Sequence, residues 1–324
     1  MLYHEKMKKL FFLHSLLAVS LAALFYTLYF YFPVQYVYAV DEDSWTEYST
    51  FVFYIMSSVT LSWIIWRYKG YRKPGIIILM LMTTVIAFEE ISWGQRIFDV
   101  ATPWRLSRIN LQHEFNLHNI EVVQSKLQYV SYCMFAWVFV MPFLCRKWTL
   151  LNSFRDRFGF PLVPVYLWPY FFVLAYLMID STLFHVQEPF EVLLSFTCVM
   201  FVYDMLIKIE QEEEIKRGWK RSVIFFGIIP PMMIACLVYF FPWPWHLQWR
   251  FKQLTRVYQK RGLDDQAEIV FEYLYNTPSL QGKSTLDDYA LFLLRTGREQ
   301  KALVVLSNDL KLLNSLKKAN TNKE

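Results

Sequence analysis

Seven stretches of the chain stay apolar for about the thickness of a lipid bilayer. They run over Leu10–Phe32, Thr46–Trp66, Gly75–Ile91, Leu127–Leu144, Leu162–Ile179, Phe190–Ile207 and Val223–Phe241. A spanning helix needs roughly 20 mostly apolar residues, because about 30 Å of hydrocarbon is crossed at 1.5 Å per residue with every backbone group bonded internally. The third stretch reaches full length only if its helix continues into the EEISWGQRIF segment. Pro164 and Pro169 interrupt the fifth and Pro230–Pro231 the seventh, and neighbouring helices can absorb such kinks. Val37-Tyr38-Ala39 looks like a signal-peptide cleavage site. The apolar run before it is longer than the roughly 7–15 residues of a signal core, so it is read as an uncleaved anchor.

Beyond Pro244 the pattern changes to charged, periodic helices: LQWRFKQLTRVYQKR, DDQAEIVFEYLY, TLDDYALFLLRT and EQKALVVLSNDLKLL. Gly262 stands five residues before Ala267, and the same spacing recurs at Gly297 and Ala302, with apolar Phe271 and Leu306 four positions further on. This echo resembles the tetratricopeptide repeat, whose period is about 34 residues and whose helices turn before a small residue packs at their crossing. Pro278 stands near where such a repeat ends. Two units fall short of the roughly three needed for a free solenoid, so the tail is expected to pack on the membrane domain or on a partner. The expected architecture is all-α: a seven-transmembrane helical bundle over residues 1–245 and a tetratricopeptide-like tail over 246–324.

Composition agrees with a multi-pass membrane protein. Of 324 residues, 55% are hydrophobic and 19% charged, against about 25% charged in soluble domains. The net charge of +5 is dispersed over short loops, so no nucleic-acid partner is expected. Cys133, Cys145, Cys198 and Cys236 form no C-x-x-C pair.

The basic residues do determine an orientation. One side receives Lys6, Lys8 and Lys9, then Arg67, Lys69, Arg72 and Lys73, then Arg146, Lys147, Arg155 and Arg157, then Lys208, Lys216, Arg217, Lys220 and Arg221. The loops of the other side hold Arg96, Arg105, Arg108 and Lys126. The positive-inside rule places the N-terminus in the cytoplasm, and seven crossings place the tail outside a bacterial inner membrane. Trp243, Trp245 and Trp249 would mark the interface after the last span.

Candidate chemistry gathers on the outer side. The first outer loop carries Asp41, Glu42, Asp43 and Glu47. Carboxylates at a membrane-helix end, here Glu89 and Glu90, are costly unless solvated, paired or metal-bound. If NLQHEFNLHNIEVVQ is helical, Asn110, Glu114, His118 and Glu121 share a stripe. Before the sixth span come Asp180, His185, Glu188 and Glu191. Glu89, Glu90, His118 and His185 are candidate catalytic residues, with Trp93, Gln95, Arg96 and Asn110 as substrate contacts. His118, His185, Glu114 and Glu188 are candidate ligands for Zn, since carboxylate and imidazole suit that ion and a bound metal activates water. Plainer roles suit the same residues: a solvated helix face for Glu114 to Glu121, an N-cap for Glu188, a counter-ion to Arg96 for Glu89.

The blocks EDSWTEY, FEEISWGQRIF and NLQHEFNLHN, within residues 41–121, resemble a family of bacterial polytopic membrane proteins whose activity is unassigned. Seven spans with an acidic entry to the second and scattered His and acidic residues also resemble the alkaline ceramidase and adiponectin-receptor superfamily, which implies a zinc-dependent lipid hydrolase. Val223–Phe241 departs from that pattern in having no H-x-x-x-H pair. Two readings stay open. One is an envelope protein of the membrane lipid phase that anchors a protein-binding tail in a surface-polysaccharide or lipid-handling assembly. The other is a metal-assisted or acid–base hydrolase or transferase acting on a lipid or lipid-linked substrate at the outer leaflet.

Overall fold

A computed structural model describes residues 2–41, 44–95, 98, 100–110, 114–180, 182–212, 247–280 and 283–307. Among the described residues the fold is helical, and extended backbone pairs only at an isolated antiparallel bridge between Asn110 and Ile120. The helices are α1 (Leu2–Tyr31), α2 (Pro33–Val40), α3 (Trp45–Arg67), α4 (Pro74–Glu90), α5 (Trp104–Ser107), α6 (Glu121–Phe139), α7 (Met141–Lys147), α8 (Thr149–Phe158), α9 (Trp168–Ile179), α10 (Gln187–Glu212), α11 (Leu247–Lys260), α12 (Asp264–Asn276) and α13 (Lys283–Arg295). Residues 299–307 are helical as well.

Among the described residues three helices are long and apolar enough to cross a membrane: Met7–Tyr31, Trp45–Arg67 and Gln187–Glu210. A fourth crossing results if α6 and α7, bent by 45° at their junction, form one span. The expected seven are therefore not all present as full-length helices. α4 has 17 residues, about 25 Å at 1.5 Å per residue. The fifth run is shortened by its prolines: Pro164 precedes a 3-10 turn and Pro169 sits in the first turn of α9. Proline suits a first turn, where its missing N–H has no partner to lose. Pro142 likewise opens α7 and accounts for the bend after α6. Val223–Phe241, Arg96, Trp243 and Trp245 lie outside the described residues.

The chain divides into two compact units, one of residues 1–26 and 42–242, the other of 27–41 and 243–324. In the first, α3 packs between α4 and α10, and α9 packs on α10 and α6. Val52, Met56 and Val199 form a buried cluster flanked by Phe51 and Phe53. α3 starts at Ser44, whose hydroxyl accepts from the Thr46 N–H at 3.3 Å. Gly159 ends α8 at φ +71°, where a Cβ would lie 2.4 Å from Lys73 Cβ. Glycine alone permits both that backbone and that approach.

The second unit joins chain-distant segments. α2 packs against α11 and α12, burying Tyr36, Val37 and Val40 with Phe251, Leu254, Tyr258, Ala267 and Leu274. Residues 27–41, assigned from sequence to the membrane domain, thus belong to the core of the tail. Asp41 pairs with Arg250 at 3.1 Å, both buried. Tyr258 donates to the Tyr29 carbonyl, and Arg261 Nη1 to the Tyr29 hydroxyl at 2.7 Å. Gly262 and Gly297 turn at φ +69° and +75°, and Ala267 and Ala302 are fully buried. Phe271 is buried while Leu306 is not, so the two halves of the echo differ. Arg298 and Lys301 bridge to Asp265, Glu268 and Glu272 on α12.

Candidate functional site

The site forms where α4 ends. Its helix stops at Glu90 and does not run on through EEISWGQRIF as expected. Ser92, Trp93 and Gly94 follow with φ of 48°, 55° and 74°. Only glycine takes that left-handed backbone without steric cost, and each other residue held there costs about 1–3 kcal/mol. Side-chain bonds hold the turn. The Ser92 hydroxyl donates to Glu114 Oε2 at 2.7 Å, and the Trp93 indole N–H to Glu89 Oε1 at 2.6 Å.

Residues 114–120 are not the expected helix but a loop, and the Asn110–Ile120 bridge stands at its base. The asparagines explain the difference, because their side chains replace the helical hydrogen bonds. Asn110 Nδ2 donates to the Asn116 carbonyl at 2.8 Å, and Asn110 Oδ1 accepts from the Glu114 N–H at 3.2 Å. Asn116 Nδ2 donates to Ser92 Oγ and Glu114 Oε2 at 3.0 and 2.9 Å. Asn110, Glu114, Asn116 and Asn119 are all buried. Asn110 and Glu114 do meet, through a loop rather than a helix stripe, while Glu121 is exposed in the first turn of α6.

Glu89 fastens this loop to α4. Its Oε2 accepts from the backbone N–H groups of Leu117 at 2.6 Å and His118 at 3.0 Å. His118 Nδ1 lies 3.5 Å from the same oxygen and is buried without a hydrogen bond. Gln95 has a similar fastening role, accepting from the Phe115 N–H and donating to Thr102, each at 2.6 Å. Trp93 also stacks on Phe88. Gln95 and Asn110, expected to touch substrate, therefore have their polar atoms engaged in building the loop.

Glu90 is different. It is 8% exposed, carries no hydrogen bond among the described residues, and feels the charges of Glu191, Glu188 and Glu89. Glu191 in turn lies within electrostatic reach of His118. Glu188 sits in the first turn of α10 rather than at its cap, and accepts from the Thr46 hydroxyl at 3.3 Å. A carboxylate in a first turn is favoured by the helix dipole. Glu191 was the member least weighted from sequence; its signal is the i, i+3 spacing from Glu188 that puts both on one face of α10.

His185 lies in the turn before α10 at φ +51°, its ring edge-on to Phe184. No three His, Cys, Asp or Glu side chains converge on a metal-binding position among the described residues. The expected ligand set of His118, His185, Glu114 and Glu188 is therefore not assembled, and Glu114 is committed to Ser92 and Asn116. What remains is electrostatic: Glu90 interacts with Glu188 and Glu191, and Glu191 with His118.

Asp180, just past α9, holds the neighbouring turn. It accepts from Tyr26 at 2.5 Å and from the N–H groups of Thr182 and Leu183. Burial pushes its carboxyl up, but the bonds from Thr182, Tyr26 and Leu183 together outweigh that and hold it below the usual value. The stabilisation is complete above the unfolded value of about 3.9 and is lost as pH falls through the lower folded value. Protease cleavage in the turn after Asp180 is expected to be flat from pH 7 to 5 and to accelerate only below about pH 4. A rise already at pH 6 would assign the turn's stability to another group.

On the second unit, Leu291 and Leu294 of α13 and Leu303 and Val304 of the last described helical stretch are exposed. They are large apolar side chains on a module that is otherwise strongly charged.

The chain matches no protein-family model, no curated protein and no solved structure, so the chemistry of these surfaces carries the functional reading.

Proposed function

We propose that the chain is a multi-pass protein of a bacterial inner membrane that holds a protein-binding helical module on the outer side. The basic-residue asymmetry supports an N-terminus in the cytoplasm, and an odd number of crossings, as the apolar runs of the sequence suggest, would put the tail outside. Two helical pairs turning at left-handed Gly262 and Gly297 over buried Ala267 and Ala302 support a tetratricopeptide-like module. The observation that carries the reading is the exposed Leu291, Leu294, Leu303 and Val304. Apolar side chains gathered on a charged module mark an interaction surface. A surface-polysaccharide or lipid-handling assembly fits a partner met at the outer leaflet.

The test is photocrosslinking in intact cells. A benzoylphenylalanine placed at Leu303 is expected to give a discrete protein adduct. Leu291→Asp with Leu294→Asp is expected to abolish it while a phosphatase fused after Glu324 stays active. An inactive fusion would overturn the topology, and an adduct unchanged in the double variant would overturn the binding surface.

A second reading rests on Glu90. Carboxylates beside an imidazole are the groups that exchange protons with a substrate in acid–base catalysis. Glu90, buried without a hydrogen bond beside Glu188 and Glu191, supports a hydrolase or transferase working on a lipid or lipid-linked substrate.

A further inference from the structure

A cavity in the first unit has no part in either reading. It measures about 1150 Å³ and is bounded by α1, α7, α8, α10 and the segment before α9. Most of its wall is apolar, from Met7 and Leu10 to Met200 and Ile207. One end is polar and ordered. His14, 8% exposed on α1, shares a hydrogen bond of 3.0 Å with the Tyr170 hydroxyl and stacks on Tyr166 at 5.7 Å. Tyr166 donates to Asp204, and Lys208 pairs with Asp204 at 2.7 Å while lying over the Tyr166 ring.

The charges at this end do not cancel. Asp204 is shared between Tyr166 and Lys208. Arg155 is paired with Asp156. Arg146, an exposed lining residue, forms no ion pair or hydrogen bond among the described residues. All these cations belong to the basic-rich loops. Ligand pockets for drug-sized molecules run to about 300–1,000 Å³, so a lone phosphate would leave most of this space empty. An occupant that fills it has an anionic head for Arg146 and Lys208 and an apolar body for the remaining wall.

We propose that this cavity binds a phosphate-bearing lipid from the leaflet on the basic-rich side, with its phosphate between Arg146 and Lys208 and its chain against α1 and α10. Arginine and lysine are the side chains that hold phosphate, by charge-assisted hydrogen bonds. Basic residues near a membrane surface also enrich anionic lipid locally.

The experiment is native mass spectrometry of the full chain released from nanodiscs. Phosphatidylglycerol and phosphatidylcholine present the same chains with an anionic or a neutral headgroup. The wild-type protein is expected to retain phosphatidylglycerol in preference. Arg146→Glu, at an exposed residue that pairs with nothing and so leaves folding intact, is expected to cut that retention about tenfold. Lys208→Gln is expected to act in the same direction. Equal retention of the two lipids, or retention unchanged in Arg146→Glu, would overturn the proposal. Release of bound lipid by millimolar inorganic phosphate alone would assign the site to free phosphate and overturn the lipid.

Discussion

Replacing Asp41 by alanine is expected to unfold the second unit while the first stays folded. Asp41 is 2% exposed and Arg250 is 8% exposed, with Nε and Oδ1 at 3.1 Å. Removing Asp41 takes away a buried charge that offsets the desolvation of the Arg250 guanidinium, and breaking a buried pair in this way costs up to about 3–5 kcal/mol. A small module has only about 5–15 kcal/mol of net stability to lose. Arg250 also lies over the Trp249 ring, so Arg250→Ala removes packing as well as charge. Limited proteolysis of the full chain should then cut α11 and α12 in both variants and spare α3 and α10. Asp41→Leu combined with Arg250→Met is expected to recover most of the loss, because two apolar groups leave no stranded charge. High salt should change little, since the pair is shielded from bulk ions. Wild-type resistance in Asp41→Ala would show that the apolar core alone holds α2 to the tail.

The helices were legible wherever local periodicity decides the structure. The tail's amphipathic runs emerge as α11, α12, α13 and residues 299–307, and three of the apolar stretches emerge as full-length membrane helices. The candidate site was legible in its membership and not in its geometry. Glu89, Ser92, Asn110 and Glu114 were all visible as an unusual density of polar groups beside a span. Their arrangement depends on bonds between segments, such as Glu89 to Leu117, 28 residues apart, which no helical stripe can encode. Asn116 and Asn119 fall outside the stripe of Asn110, Glu114, His118 and Glu121 that a helix would form, yet they are buried because residues 114–120 form a loop. The same limit hid the Asp41–Arg250 pair, whose members are 209 residues apart. Proline placement, local but misweighted, turned the fifth apolar stretch into a short helix after a turn.

Glu89→Ala is expected to open the loop over residues 114–120 without disturbing α4. The carboxylate is the common acceptor for the Leu117 and His118 N–H groups and the Trp93 indole. Each donor left unsatisfied costs about 1–3 kcal/mol. Leu117 is itself exposed, so water re-solvates part of the freed backbone and the lower end applies. The sum is then about 3 kcal/mol, and amide exchange at Leu117 and His118 should rise roughly hundredfold. The left-handed Ser92–Trp93 turn loses one of its two side-chain restraints, so release of its backbone strain favours the open state further. Glu89→Gln keeps one acceptor oxygen but turns an amide N–H toward backbone donors, and should recover only part of the protection. Glu90→Gln serves as the contrast. It puts a neutral group of nearly the same shape beside Glu188 and Glu191 and breaks no hydrogen bond among the described residues, so exchange in the loop should stay at the wild-type rate or fall below it. If Glu89→Ala leaves both amides protected, the Ser92–Glu114–Asn116 network alone suffices to close the loop, and Glu89 is free for chemistry at the site.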